Sequence, residues 1–358
     1  MRVRFDEQIF AIQEFGGISR MFASLARAFI DSPDLGVQLA PFRLPVVNRY
    51  LLDDPKTAQA LHIKTARSWQ TSLGQYLIQP PSSNGVDVEH STFYLPHGRP
   101  RKKAATSVVT VHDLIPELLP TTRRRLDFLT IKKHYVLAAD HVVCVSEATR
   151  QDLIRVYPQV AERAHVVHHG VDERFQPVVN PESLIDHPYL LFVGNRDQYK
   201  DAQLLLKAFA HIHDVFPDIH LLFVGGGPLR KEELTHLPTS IRGFIHQRTI
   251  PDAQMPSVYS AARALVFPSH FEGFGMPLLE AMACGTPVVA ARASSLPEVG
   301  GGACLYFTPG HADELAASVE ALLDDEGKQQ DLVRQGRERA ARFSWERAAA
   351  SYAEIYRL

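Results

Sequence analysis

Ala264-Leu265-Val266-Phe267-Pro268-Ser269-His270-Phe271-Glu272-Gly273-Phe274-Gly275-Met276-Pro277-Leu278-Leu279-Glu280 decides the fold of this chain. Residues 264–267 read as a short buried strand. Pro277 suits the first helical position, because the N–H it lacks has no intrahelical partner there, and Gly285, just before Thr286-Pro287, is a helix stop. The result is strand, glycine turn, helix. The N–H groups of Gly273, Phe274, Gly275 and Met276 then sit at a helix N-terminus, whose partial positive charge suits a phosphate. Glu272 lies just before that anion site and Glu280 about one turn inside the helix. Carboxylates repel a phosphate, so these two belong beside it only if they accept hydrogen bonds from neutral donors, and the hydroxyls of a nucleotide sugar are such donors. That points to a sugar at one glutamate and a ribose at the other. The plain alternative is a helix-capping Glu272 and a solvated Glu280; glycines on both sides of Phe274 weigh against it, because they serve close ligand approach better than packing.

Outward from this segment, β-branched and apolar runs alternate with helical patterns at residues 108–111, 142–145, 190–193, 220–224, 265–267 and 288–290. Continuous apolar strands separated by helices are what a parallel sheet covered on both faces requires. Residues 201–216 place Leu204, Leu205, Ala208, Phe209, Ile212 and Phe216 on one face, with Asp201 as N-cap and Pro217 as stop. A chain of 358 residues, 45% apolar and 22% charged, is globular and long enough for two α/β domains. Pro177, Pro181 and Pro188 mark a linker, and the boundary is placed at 176/177. A net charge of −2 gives no reason to expect nucleic acid. Cys144, Cys284 and Cys304 have no metal-ligand spacing and read as buried free thiols, consistent with a cytoplasmic setting. Charges in residues 1–7 interrupt any signal-peptide pattern, and no apolar run approaches the roughly 20 residues of a membrane span.

Residues 268–289 resemble, nearly throughout, the Glu, seven residues, Glu signature of family 4 of the retaining glycosyltransferases. Further similarity lies in Gly16-Gly17-Ile18-Ser19-Arg20, Val111-His112-Asp113, Val145-Ser146-Glu147-Ala148-Thr149, His169-Gly170-Val171-Asp172 and residues 192–200. The resemblance implies the GT-B fold, an α/β architecture of two Rossmann-like, doubly wound parallel-sheet domains facing a cleft. Residues 1–176 would be the acceptor domain and 177–344 the nucleotide-sugar domain, with a C-terminal helix at 345–358 crossing back to the first. It also implies roles. His112 and Glu272 act on the transferred sugar; Gly17, Arg196, Lys200 and the amides of Gly273 to Met276 hold the donor phosphates; Glu280 holds the ribose.

Several of these positions also have a reading of their own. Ligands of open α/β sheets bind beyond the carboxyl ends of strands, and Arg196 and Lys200 follow one strand, where they can neutralise a diphosphate or simply be solvated cations. Gly225-Gly226-Gly227-Pro228 follows the next strand and is not a dinucleotide fingerprint, because Pro228 breaks the spacing. Arg20 and His90 are acceptor-site candidates, with a helix-surface arginine and a structural histidine as the plain alternatives. The base pocket falls on His246, Gln247 and Arg248, where Arg248 replaces the glycine usual in the family; Asp201 stands where the family commonly has Asn.

The expected activity is a retaining hexosyl transfer, with mannose from GDP-mannose as the best single assignment, to a growing glycan or lipid-linked acceptor. No metal or other cofactor is expected, since no Asp-x-Asp triplet is present. The alternatives are another nucleotide sugar, a phosphorylase or synthase of the same fold, and a non-catalytic nucleotide-sugar-binding subunit. Between Arg99 and Lys133, nine basic residues (Arg99, Arg101, Lys102, Lys103, Arg123, Arg124, Arg125, Lys132, Lys133) face three acidic ones. This run is either a solvated face or a peripheral contact with anionic membrane at its inner face.

Overall fold

The computed structural model describes residues 1–65, 85–96, 106–119, 126–196 and 198–358. Among the described residues, two six-stranded sheets, parallel throughout, are built from twelve strands. The first contains β1 (Arg2–Phe5), β2 (Gln38–Leu39), β3 (Val88–Ser91), β4 (Thr106–Val111), β5 (His141–Cys144) and β6 (Ala164–Val166), in the order β2-β1-β3-β4-β5-β6. The second contains β7 (Tyr189–Val193), β8 (His220–Val224), β9 (Ile245–Arg248), β10 (Ala264–Phe267), β11 (Val288–Ala291) and β12 (Leu305–Phe307), in the order β12-β11-β10-β7-β8-β9. Leu190, Leu191, Phe192, Leu221, Leu222, Phe223, Leu265, Val266 and Phe267 are all 0% exposed, as a sheet covered on both faces demands.

Strand order fixes where ligands belong. In the second sheet the chain runs outward from β7 through β8 to β9, then returns to place β10 on the other side of β7. The loops after β7 and β10 therefore diverge at a topological switch point, the crevice that open α/β sheets use for binding. In the first sheet the same reversal lies between β1 and β3.

The residues group into two compact units, Met1–Gly170 with Ser344–Leu358, and Val171–Phe343. The division falls at Gly170, a few residues before the proline-rich stretch that marked it in the sequence. Close approach explains the glycine: a Cβ at Gly170 would lie 2.3 Å from the backbone nitrogen of Trp345, where the terminal helix Trp345–Ile355 begins. That helix belongs to the first unit, burying Ala349, Tyr352, Ala353 and Ile355 in one core with Phe5, Phe22 and Phe29.

His90 is part of this core, which removes it as an acceptor-site candidate. It is 0% exposed, its Nδ1 lies 2.7 Å from the Tyr356 hydroxyl and its Nε2 lies 2.9 Å from Thr110 Oγ1. Burial lowers its pKa to about 3, so it is a neutral ring bonding strand to helix. Its alternation with buried Val88 on β3 was the available signal.

The basic run from Arg99 to Lys133 also needs correction at Lys132. That ammonium is buried, pairs with Glu117 at 2.9 Å and donates to the Asp113 carbonyl at 2.6 Å, so it presents no charge to a membrane. Lys133 is exposed, and the other seven cations lie outside the described residues. No helix among the described residues is long and apolar enough to cross a membrane. The three cysteines are free and buried, and burial pushes each thiol up to about 12.

Candidate active site

In the second unit, the segment after β10 folds as strand, glycine turn and helix. Gly275 caps the helix Met276–Ala283 with φ +102°, and a Cβ there would meet Leu296 Cδ2 at 2.8 Å, so both conformation and space require glycine. Met276 is the first helical residue and Pro277 the second, one position later than expected.

Glu272 is held at both ends. Its carbonyl accepts from Ser294 Oγ at 2.7 Å and Ser295 Oγ at 2.9 Å, while its carboxylate Oε1 accepts from Ser269 Oγ at 2.9 Å and lies 3.1 Å from Lys200 Nζ. Ser294 and Ser295 follow β11, and Ser294 has the left-handed φ of +50°. Sequence reading missed these serines. Their position after the carboxyl end of a strand was the signal available.

Lys200 comes from the turn Gln198–Lys200 after β7, and its side chain runs alongside Gly194, where a Cβ would lie 3.3 Å from Nζ. Lys200 and Glu272 thus meet from the two loops of the switch point. Three donor hydrogens on the ammonium leave capacity beyond Glu272.

Arg196 is placed differently from expectation. Its side chain is 5% exposed, and all five N–H groups are directed inward. Nε donates to Glu233 Oε1 at 2.7 Å, Nη1 to the Gly225 and Gly227 carbonyls at 3.2 and 3.1 Å, and Nη2 to the Pro228 carbonyl at 2.9 Å and Glu233 Oε2 at 3.4 Å. Gly225, Gly226 and Gly227 have φ between +70° and +92°, which wraps their carbonyls around the guanidinium. A Cβ at Gly226 would lie 2.7 Å from Nη1. Arg196 in this structure shapes the glycine loop, with no N–H left over for a phosphate.

Glu280 is likewise not an exposed carboxylate. It is 3% exposed, and its Oε2 accepts from the Tyr259 hydroxyl at 2.9 Å. Among the base-pocket candidates, Gln247 donates to the Gly225 carbonyl at 3.3 Å, at the carboxyl end of β8. Arg248 is exposed, donating to the Gln247 carbonyl at 2.9 Å. His246 points away from that end: its Nε2 lies 2.8 Å from Nδ1 of His220, the first residue of β8, and the His220 ring stacks on His187 at 4.1 Å. This histidine column at the amino edge of the sheet removes His246 from a base pocket.

In the first unit, His112 is the first residue beyond the carboxyl end of β4. Its Nε2 is buried and has no hydrogen-bond partner among the described residues, and its pKa falls to about 4, mainly through burial and further through Lys132, against the opposing charge of Asp113. It is a neutral imidazole with an uncommitted nitrogen. Phe22 packs on it at 6.1 Å and His169 at 6.3 Å, and His169 in turn lies 5.7 Å from Trp345. Asp113 accepts from the Ile115 N–H at 3.0 Å, a local turn contact. Arg20 is half-buried on the helix Gly17–Asp31; burial holds the His169 pKa well below the usual imidazole value, with His112, His168 and Arg20 adding to it. At Gly17 a Cβ would meet nothing within 4 Å, whereas at Gly16 it would meet the end of the Gln13 side chain, Oε1 at 2.4 Å, so a side chain at Gly16 would displace that amide. Among the described residues no group of three or more His, Cys, Asp or Glu is arranged to hold a metal ion.

Comparison with known proteins places these features in a family. Residues 178–339 match the family described as glycosyl transferases group 1, and residues 15–175 match glycosyltransferase family 4. The chain is 30% identical to O-antigen chain mannosyltransferase B of Escherichia coli over 74% of its own length and 72% of that protein. It is 28% identical to alpha-maltose-1-phosphate synthase of Mycolicibacterium smegmatis over 92% and 87% of the two chains. Its fold resembles that of sucrose-phosphate synthase from Thermosynechococcus elongatus, with a TM-score of 0.72 at 21% identity, covering 99% and 98% of the two chains.

Proposed function

Because the chain belongs to glycosyltransferase family 4, with the GT-B fold and hexosyltransferase activity of that family, we propose that it transfers mannose from GDP-mannose, with retention of anomeric configuration, to a growing glycan or lipid-linked acceptor. The observation that carries the assignment of the site is the Glu272–Lys200 pair at 3.1 Å, joined from the two loops of the switch point beside the N-terminus of the helix Met276–Ala283.

The division of labour follows from charge. A nucleotide diphosphate departs as an anion, and Lys200 together with the amides of Gly273 to Met276 stabilises that charge without a metal. As the bond from the anomeric carbon to the phosphate oxygen breaks, the acceptor oxygen bonds to the same face and its proton passes to the departing phosphate. Glu272 faces the sugar, fixed by four contacts, so its placement costs little reorganisation during reaction. His112 presents Nε2 as a neutral group to a sugar hydroxyl. Glu280 takes the ribose diol, and Gln247 and Arg248 the base edge.

The mannosyl assignment rests on the likeness to the O-antigen mannosyltransferase. A second reading, a synthase that glycosylates a sugar phosphate, is favoured by the coverage of the maltose-1-phosphate synthase. A panel of GDP-mannose, UDP-glucose, ADP-glucose and UDP-N-acetylglucosamine, read by thermal shift and by slow donor hydrolysis, tests the donor. The expected result is stabilisation and turnover with GDP-mannose. Response to a uridine or adenosine donor alone overturns the mannosyl reading.

A further inference from the structure

His270 touches the residues on both sides of Lys200. Its backbone N–H donates to the Tyr199 carbonyl at 2.8 Å, and its ring Nε2 lies 2.5 Å from Asp201 Oδ2. A carboxylate only accepts, so Nε2 carries the hydrogen. Asp201 is committed on its other oxygen as well, since Oδ1 accepts from the Leu204 N–H at 3.2 Å and caps the helix Ala202–Val215. Two residues beyond His270, Glu272 meets the Lys200 ammonium. The contacts close a ring: Lys200 to Glu272, back along the chain to His270, and from His270 to Tyr199 and Asp201 on either side of Lys200.

We propose that His270 and Asp201 form a latch that positions Lys200 for the donor diphosphate, making both of them positioning residues of the transfer reaction. This rests on the donor-site reading above. A lysine ammonium sits on a flexible four-carbon stem; fixing its backbone on both flanks sets where that stem starts, and the Glu272 carboxylate then restrains where its charge ends. Gly194 lies along the same stem, since a Cβ there would stand 3.3 Å from Nζ and 3.7 Å from Cδ.

Backbone conformation supports the latch. Asp201 has φ +46° and ψ +44°, in the left-handed region that non-glycine residues rarely occupy. Helix capping by itself is ordinarily done from the extended region. The left-handed turn is what places one oxygen on the helix start and the other on His270.

His270→Ala removes the ring contact and leaves the backbone N–H in place. Dissociation constants for GDP-mannose and UDP-glucose, measured by calorimetry on the full chain, are compared for wild type, His270→Ala, Lys200→Ala and the double variant, with melting temperatures alongside. For the donor that the wild type binds, His270→Ala is expected to weaken binding about fivefold or more, the value of one such hydrogen bond, with little change in melting temperature. In the Lys200→Ala background the same change is expected to have less than about a twofold effect, since its target is gone. Equal factors in both backgrounds would overturn the latch and make the effect a general one. A large loss for Lys200→Ala with none for His270→Ala overturns the latch alone. No loss for Lys200→Ala overturns the donor-site reading and the latch with it. Asp201→Asn is the conservative check, because its Oδ1 can still cap the helix while its amide donates to Nε2 of the other histidine tautomer. Its donor affinity is expected within about threefold of wild type, against a larger loss for Asp201→Ala, and no difference between the two counts against the latch.

Discussion

Lys200 Nζ and Glu272 Oε1 lie 3.1 Å apart, and both side chains are 14% exposed, so the pair sits at the mouth of the switch point and not within the core. The cation proposed to neutralise the diphosphate and the carboxylate proposed to face the sugar share one contact. Each residue therefore restrains the other when the donor is absent. Glu272→Gln keeps the size of the side chain and removes its charge. The expected outcome is a turnover number lowered by about tenfold or more, with a smaller change in donor affinity, because an interaction that strengthens in the transition state acts on the catalytic step. Saturating kinetics alongside calorimetry separates the two; unchanged turnover removes Glu272 from the chemistry.

Glu280 and Tyr259 behave as a buried hydrogen-bonded pair. Glu280→Ala is expected to weaken donor binding tenfold or more and to lower stability by about 1–3 kcal/mol, since the buried tyrosine hydroxyl loses its carboxylate acceptor. Tyr259→Phe should affect stability with the smaller effect on donor binding. Urea unfolding followed by calorimetry checks both, and an unaltered unfolding midpoint in Glu280→Ala contradicts the buried pairing.

Arg196 and Glu233 carry 5% and 7% side-chain exposure, so breaking their pair strands a buried charge. Burial pushes the Glu233 carboxyl up, but the Arg196 bond and the Arg230 N–H outweigh it and hold the group below the usual carboxylate range. A depressed carboxyl contributes stability above its unfolded pKa and loses it as pH falls through the folded value. Arg196→Ala and Glu233→Ala are each expected to destabilise by about 3–5 kcal/mol near neutral pH, with a smaller penalty in acid. Equal stability of either variant and wild type at pH 7 refutes the clamp.

Acid should unfold the first unit through its neutral histidines. His90 and His112, lowered to about 3 and 4, stay neutral in the folded chain while their unfolded counterparts protonate near 6.5. Stability is complete above that value and falls as pH drops through the window, by up to about 1.4 kcal/mol per unit for each group. Asp6 works in the opposite sense. Burial raises its carboxyl to about 7, so it takes up a proton in the folded state first and offsets one histidine between roughly pH 7 and 4. Asp6→Asn should therefore steepen the acid loss measured by thermal unfolding across pH 7 to 4; a flatter profile contradicts the assignment.

Turnover is expected to survive chelation, with Lys200 and the helix amides carrying the phosphate charge. Initial rates with and without EDTA decide this. Abolition by EDTA and recovery with magnesium or manganese would show that the phosphate assignment is wrong.

What could be read from the chain itself was local. Apolar runs, the Gly273-Phe274-Gly275 turn and the spacing of Glu272 from Glu280 announce strand, turn and helix, because hydrophobic period and glycine placement act over neighbouring residues. The order of strands around β7 then brings Lys200 and Glu272 together from residues 72 positions apart, which local pattern leaves open. Side-chain commitments were out of reach for the same reason. Arg196 reads as a cation for the donor phosphates until Glu233 and the carbonyls of Gly225, Gly227 and Pro228 close on it, and nothing in the spacing of Glu280, read as the ribose ligand, shows that Tyr259 donates to it. His90 and His246 look like strand-end ligands until Tyr356 and His220 take up their ring nitrogens. A polar residue carries its chemistry in its own identity, but whether that chemistry remains available depends on which donors and acceptors the folded chain sets within about 3 Å of it.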